Sequence, residues 1–100
     1  MVLENIIEDL LDELKPLEFH APVSHVYNPL AYAKASYVKY LQLYAQTPKE
    51  IILIGMNPGP WGMAQTGVPF GEVTAVRDWL HIKAPVGKPE KMHPKRPVTG

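Results

Sequence analysis

Cysteine is absent from the 100 residues, so a disulfide framework, a thiolate zinc site and a cysteine-held iron–sulfur cluster are all excluded within them. Long apolar runs are absent too: the longest are four residues, as in Ile51 to Ile54, against about 20 for a membrane helix. The N-terminus is acidic where a signal peptide is basic, and a cytoplasmic location is the expectation. Compositional extremes are also missing. Apolar residues make up 46% and charged residues 20%, which excludes disorder throughout and collagen-like or low-complexity protein. The length allows one small domain. His20, His25, His81 and His93 share no element at metal-ligand spacing, so no metal site is read.

A net charge of zero, ten cations against ten acids, conceals opposite ends. Glu4, Glu8, Asp9, Asp12, Glu13 and Glu18 face only Lys15 in residues 1–20, whereas Lys83, Lys88, Lys91, Lys95 and Arg96 face only Glu90 in residues 83–100. A polyanion would meet the C-terminal end, although a solvated basic tail has the same composition.

Leu3, Ile6, Ile7, Leu10, Leu11 and Leu14 recur at three- and four-residue spacing, which predicts an amphipathic helix over 2–15 closed by Pro16. Residues 16–27 read as a connection. Asn28-Pro29 is a helix start, an amide side chain to cap and a proline at the first position, and the helix is expected to run to about Gln46. On it Leu30, Ala33, Tyr37, Tyr40, Leu41 and Tyr44 share a face, with the tyrosines read as core residues whose hydroxyls stay wet. Glu72 to His81 reads as a further helix with Val73, Val76, Trp79 and Leu80 inward. Residues 82–100, with Pro85, Pro89, Pro94 and Pro97, read as irregular. The single domain thus divides into a helical part (1–47), a strand, loop and helix (48–81) and a basic, proline-rich segment (82–100).

Ile51 to Ile54 is apolar without alternation, the pattern of a strand covered on both faces inside a parallel sheet. Such a strand needs partners on both sides, and no other segment offers a comparable β run. The expectation is the first part of an α/β domain whose other strands come from further residues or another chain.

The loop Gly55 to Gly71 holds five glycines and three prolines. A strand, a glycine-rich turn and a helix together aim backbone amides at a ligand. The loop is neither a Walker A sequence nor the dinucleotide fingerprint, since the Gly-Lys-Ser/Thr ending and the glycine spacing are both missing. By itself Asn57 between glycines and prolines also reads as a turn former bonding its own backbone.

The longer string Gly55-Met56-Asn57-Pro58-Gly59-Pro60-Trp61-Gly62-Met63-Ala64-Gln65-Thr66-Gly67-Val68-Pro69-Phe70-Gly71-Glu72-Val73 resembles the first active-site motif of the single-strand-selective monofunctional uracil-DNA glycosylases. The likeness continues through Val76-Arg77-Asp78-Trp79-Leu80 and His93-Pro94-Lys95-Arg96-Pro97-Val98. Family members commonly have phenylalanine where Trp61 stands. The resemblance implies a three-layer αβα sandwich around a mostly parallel central sheet, with this chain supplying the N-terminal helices, the first strand and the active-site loop. It implies a monofunctional enzyme of base-excision repair, without metal or cofactor, that flips a deoxyuridine out of DNA and hydrolyses its N-glycosidic bond.

By the same resemblance Asn57 matches the residue that holds the attacking water, and Phe70 the aromatic that stacks on the flipped base. Backbone amides including that of Met56 would donate to a uracil oxygen as charge develops. Gly59 stands where conventional uracil enzymes carry a blocking tyrosine, which implies acceptance of C5-modified uracil such as 5-hydroxymethyluracil. An ordered water near Gly59 and Met63 would reject thymine; Met63 also reads as a gap-filling core side chain. Lys95 and Arg96 would grip phosphates of uracil-containing DNA, single- or double-stranded, or else be merely solvated. A monomer is expected, releasing free uracil, in the cytoplasm of a bacterium at its nucleoid or in the nucleus of a eukaryote. The family's His-Pro-Ser-Pro motif, with its catalytic histidine, does not occur in this sequence. The alternatives are a non-catalytic module binding DNA lesions or a partner, and a mismatch-specific uracil/thymine glycosylase, which the segment Gly67 to Gly71 disfavours.

Overall fold

Four α-helices and one π-helical turn, most of them set apart by irregular stretches, make up the regular structure of the computed structural model, which describes residues 2–99. Met1 and Gly100, the outer bounds of the single domain read from sequence, lie outside those residues. The predicted N-terminal helix is α1, Val2–Leu14. It buries none of its residues. Leu3, Ile6 and Leu10 of its apolar stripe stay exposed, and an ion pair from Glu8 to Lys34 ties it to the next helical layer.

The helix expected over 28–46 forms as two pieces, α2 (Pro29–Tyr32) and α3 (Lys34–Tyr44). The break at Ala33 has a packing cause. Ala33 is fully buried against Gly67, where a Cβ would lie only 2.6 Å from both the Cβ and the carbonyl oxygen of Ala33. Pro29 occupies the first turn as expected, but Asn28 makes no side-chain cap; its backbone carbonyl instead accepts the N–H of Ala31 at 2.9 Å. Tyr37, Tyr40 and Tyr44 form a ladder with ring centroids 6.1 to 6.2 Å apart. The Tyr44 hydroxyl, expected to be wet, donates to the Leu80 carbonyl at 2.7 Å.

Val68, Val76 and Ile82 form the central cluster, with Tyr40 and Leu80 packed on it. Val76 lies on the π-helical turn Ala75–Trp79, where the helix expected over 72–81 forms. The Glu72 carboxylate starts that helix by accepting the N–H groups of Thr74 (2.8 Å) and Ala75 (3.1 Å), and these two bonds hold its pKa below the usual carboxylate range. The wide turn rotates Trp79 outward, so that it is 77% exposed where sequence placed it inward, and Val73 is exposed too.

No strand forms among the described residues. Ile51, Ile52, Leu53 and Ile54 are 75 to 87% exposed. A strand is a pairing, and no described segment pairs with them. No described helix is long and apolar enough to cross a membrane.

Candidate functional site

The loop after Ile54 is built around one short helix. Its α4 (Met63–Thr66) begins where the Gly59 carbonyl accepts the N–H of Ala64 at 3.0 Å and ends at Gly67, whose φ of 76° suits glycine. Thr66 is buried and bridges the next turn: its hydroxyl donates to the Gly71 carbonyl at 2.7 Å and accepts the N–H of Val68 at 3.1 Å. Tyr32 donates its hydroxyl to the Ala64 carbonyl. Burial first, and Tyr27 second, push the Tyr32 pKa up to about 12, so it remains a donor throughout the neutral range.

Gln65 is the residue that sequence reasoning missed. It is 3% exposed. Its Nε2 donates to the carbonyls of Pro60 (2.9 Å) and Pro97 (2.7 Å), and its Oε1 accepts the N–H of Thr99 at 2.9 Å. One amide therefore fastens the glycine-rich loop to the C-terminal segment. No local signal marks it, because partners 32 and 34 residues away leave no trace in hydrophobic spacing.

Phe70 occupies a turn closed by the Gly71 N–H on the Val68 carbonyl at 2.8 Å. With Pro69 second and Phe70 third, φ of Phe70 is +57°, a place that ordinarily belongs to glycine. Holding a bulky residue there costs on the order of 1–3 kcal/mol. The following Gly71 has no room for a side chain, since a Cβ would lie 2.6 Å from Val76 Cγ2 and 2.8 Å from the Val68 carbonyl oxygen. The effect is to throw the Phe70 ring outward, 68% exposed, beside Gly55, whose Cβ position lies 3.2 Å from the ring.

Met56, Asn57, Gly59, Met63 and Phe70, the five residues expected to act on a base, all line one cleft of about 1510 Å³, with Trp61 and Phe19 on its walls. The cleft exceeds the roughly 300–1,000 Å³ of a small-molecule pocket and is open to solvent. Met56 stands almost wholly in solvent, and its N–H bonds to no described residue. Met63 is half-buried at the start of α4. A Cβ on Gly59 would meet nothing within 4 Å. The Asn57 amide donates through Nδ2 to the Pro58 carbonyl at 3.1 Å, as a turn former does; because a carbonyl only accepts, that bond orients the amide and leaves Oδ1 free of it.

Lys95 and Arg96 are not brought to this cleft. Both are exposed on a turn beside it, and Arg96 lines a second cavity of about 570 Å³ that shares Asn57 and Pro58 with the first. No group of three His, Asp or Glu residues able to hold a metal gathers among the described residues.

No protein-family model matches the chain. Among individual proteins, it is 56% identical over 91 residues to a single-strand selective monofunctional uracil DNA glycosylase of Bos taurus, an alignment covering 91% of the chain and 34% of that protein. Relatives of the same description from Mus musculus and Rattus norvegicus are each 57% identical over 88 residues, or 88% of the chain and 32% of their own length. The chain thus spans about a third of the curated relatives it matches. Over some nine-tenths of its length, this sequence is homologous to part of the single-strand selective monofunctional uracil-DNA glycosylases.

Proposed function

We propose that the chain is the part of a monofunctional uracil-DNA glycosylase that carries the water-positioning and base-stacking residues. The observation that carries this is the 56–57% identity to glycosylases so named, and the gathering of Met56, Asn57, Gly59, Met63 and Phe70 on one groove supports it. Asn57, its Nδ2 held by Pro58, presents Oδ1 to a water; a water donating there turns a lone pair toward the sugar carbon. An uncharged amide does this beside a cationic sugar without titrating. Phe70 recovers by stacking part of the few kcal/mol that flipping a base costs, and that role explains why a strained turn carries a ring where glycine would be comfortable. The free Met56 N–H is a donor for the uracil oxygen that gains charge.

Open space at Gly59 supports acceptance of uracil with a polar C5 substituent, in single- or double-stranded DNA. The fold we propose for the whole domain is the three-layer αβα sandwich, with Ile51 to Ile54 as an inner strand once partners pair with it. A monomer acting at the nucleoid or in the nucleus fits this reading.

The test is release of uracil from a labelled single-stranded oligonucleotide, revealed by alkaline cleavage, using purified protein of determined intact mass. Release is the expected result. A folded protein that binds the oligonucleotide and releases nothing would instead be a non-catalytic lesion-binding module. Phe70→Ala is expected to weaken binding of uracil-containing single strands by about 1–3 kcal/mol of lost stacking. Unchanged affinity in a binding titration discards the stacking role.

A further inference from the structure

We propose that His25, His93 and Arg96 form a subsite for a phosphodiester of the nucleic-acid strand leaving the cleft, tightened by proton uptake on His25. This rests on the DNA-binding part of the reading above. The two histidines, 68 residues apart in sequence, meet edge to face with ring centroids at 4.6 Å. Tyr27 places the second one: its hydroxyl accepts the His93 N–H at 2.7 Å and donates to the Arg96 carbonyl at 2.6 Å. The Arg96 N–H returns to the His93 carbonyl at 3.1 Å, closing the turn. The Lys95 N–H donates to His93 Nδ1 at 3.0 Å, so the neutral ring carries its proton on Nε2. His25 Nδ1 is engaged by Ser24 Oγ at 2.8 Å.

His25, His93 and Arg96 all line the 570 Å³ cavity, and no carboxylate lines it. The charged groups facing His25 are therefore His93, Arg96 and Lys91, whose Nζ lies 3.4 Å from the Ser24 carbonyl. Lys91, Lys95 and Arg96 form no ion pair among the described residues. Partial burial first, then His93 and Lys91, hold the His25 pKa below its ordinary 6.5. A phosphodiester is the counter-charge this surface lacks. The same cavity reaches Asn57, so a strand whose base enters the cleft passes its phosphate here. A bound phosphate favours the protonated His25 ring, and affinity gains as pH falls, about tenfold for each unit by which binding raises that pKa.

The experiment measures fluorescence anisotropy of a labelled oligothymidylate at about pH 7.5 and about pH 5.5 and constant low salt, conditions bracketing the imidazole range. Oligothymidylate offers no uracil to excise, so this result and that of the release assay stand apart. Tighter binding at the lower pH is expected, by several-fold to tenfold. The His25→Gln protein should lose that gain. Arg96→Gln should weaken binding at both, and a salt series at the higher pH should show a slope flatter by about one. Should circular dichroism show the His25→Gln protein unfolded, His25→Asn decides in its place, with the same loss expected. The proposal is overturned if the unsubstituted protein shows no gain, if the folded variant keeps all of it, or if inorganic phosphate shows the gain and the strand does not.

Discussion

Uracil release is expected to fall by about 10² to 10³-fold in Asn57→Ala, the usual result of removing a key polar group aimed at the reacting atoms. Folding should scarcely change. Asn57 is exposed and gives up a single hydrogen bond to Pro58, which is worth about 1 kcal/mol or less at such a site. The contrast between the two readouts separates the two roles open to this residue. If Asn57 only shapes the turn, a lower melting temperature accompanies an unaltered rate per folded molecule. Should it hold the water, the rate collapses in a protein that melts where the parent does. Comparable release by the variant removes Asn57 from the mechanism.

Gln65→Leu carries the largest expected stability effect. Leucine keeps much of the volume but strands the Pro60 and Pro97 carbonyls and the Thr99 N–H, which the amide now satisfies from a buried position. Each lost bond costs on the order of 0.5–1.5 kcal/mol, and more where water cannot replace it, so about 2–4 kcal/mol in all is expected. For a domain near this size, that lowers the melting temperature by roughly 10–25 °C. The total stability of such domains is only about 5–15 kcal/mol, and the buried apolar residues among those described are few: Ala33, Leu41, Ala64, Val68, Val76, Ile82 and Val98. A thermal melt monitored by circular dichroism checks this. An unchanged midpoint would show that water satisfies those groups equally well and that the loop is held by other contacts.

Local rules carried the helices. Spacing along residues 2–15 located α1, and Pro29 located the start of α2, because amphipathic period and proline geometry act within a turn or two of chain. They did not foresee the break at Ala33, which answers to Gly67 from another part of the sequence. Nor could periodicity distinguish the inward Val76 from the outward Trp79, since the π-helical turn changes the angle per residue on which the pattern depends. Ile51 to Ile54 shows the same limit from the other side. Its composition suits a strand, but pairing is a property of two segments.

For the site, Asn57, Gly59 and Phe70 were nominated by the resemblance that the string from Gly55 to Val73 carries, whereas its glycines and prolines by themselves indicate only a turn. That Phe70 stands at a positive φ with its ring turned out, that Gln65 rather than any loop residue of obvious chemistry fastens the loop, and that His25 meets His93 beside Arg96 were decided only in three dimensions. Sequence by itself determined the helical period, the turn chemistry and the opposite charges of the two ends, all of which act between near neighbours or in the sum. Tertiary structure decided which groups from distant segments share one cavity, because hydrogen bonds and charges act across distances in space that separation along the chain does not record.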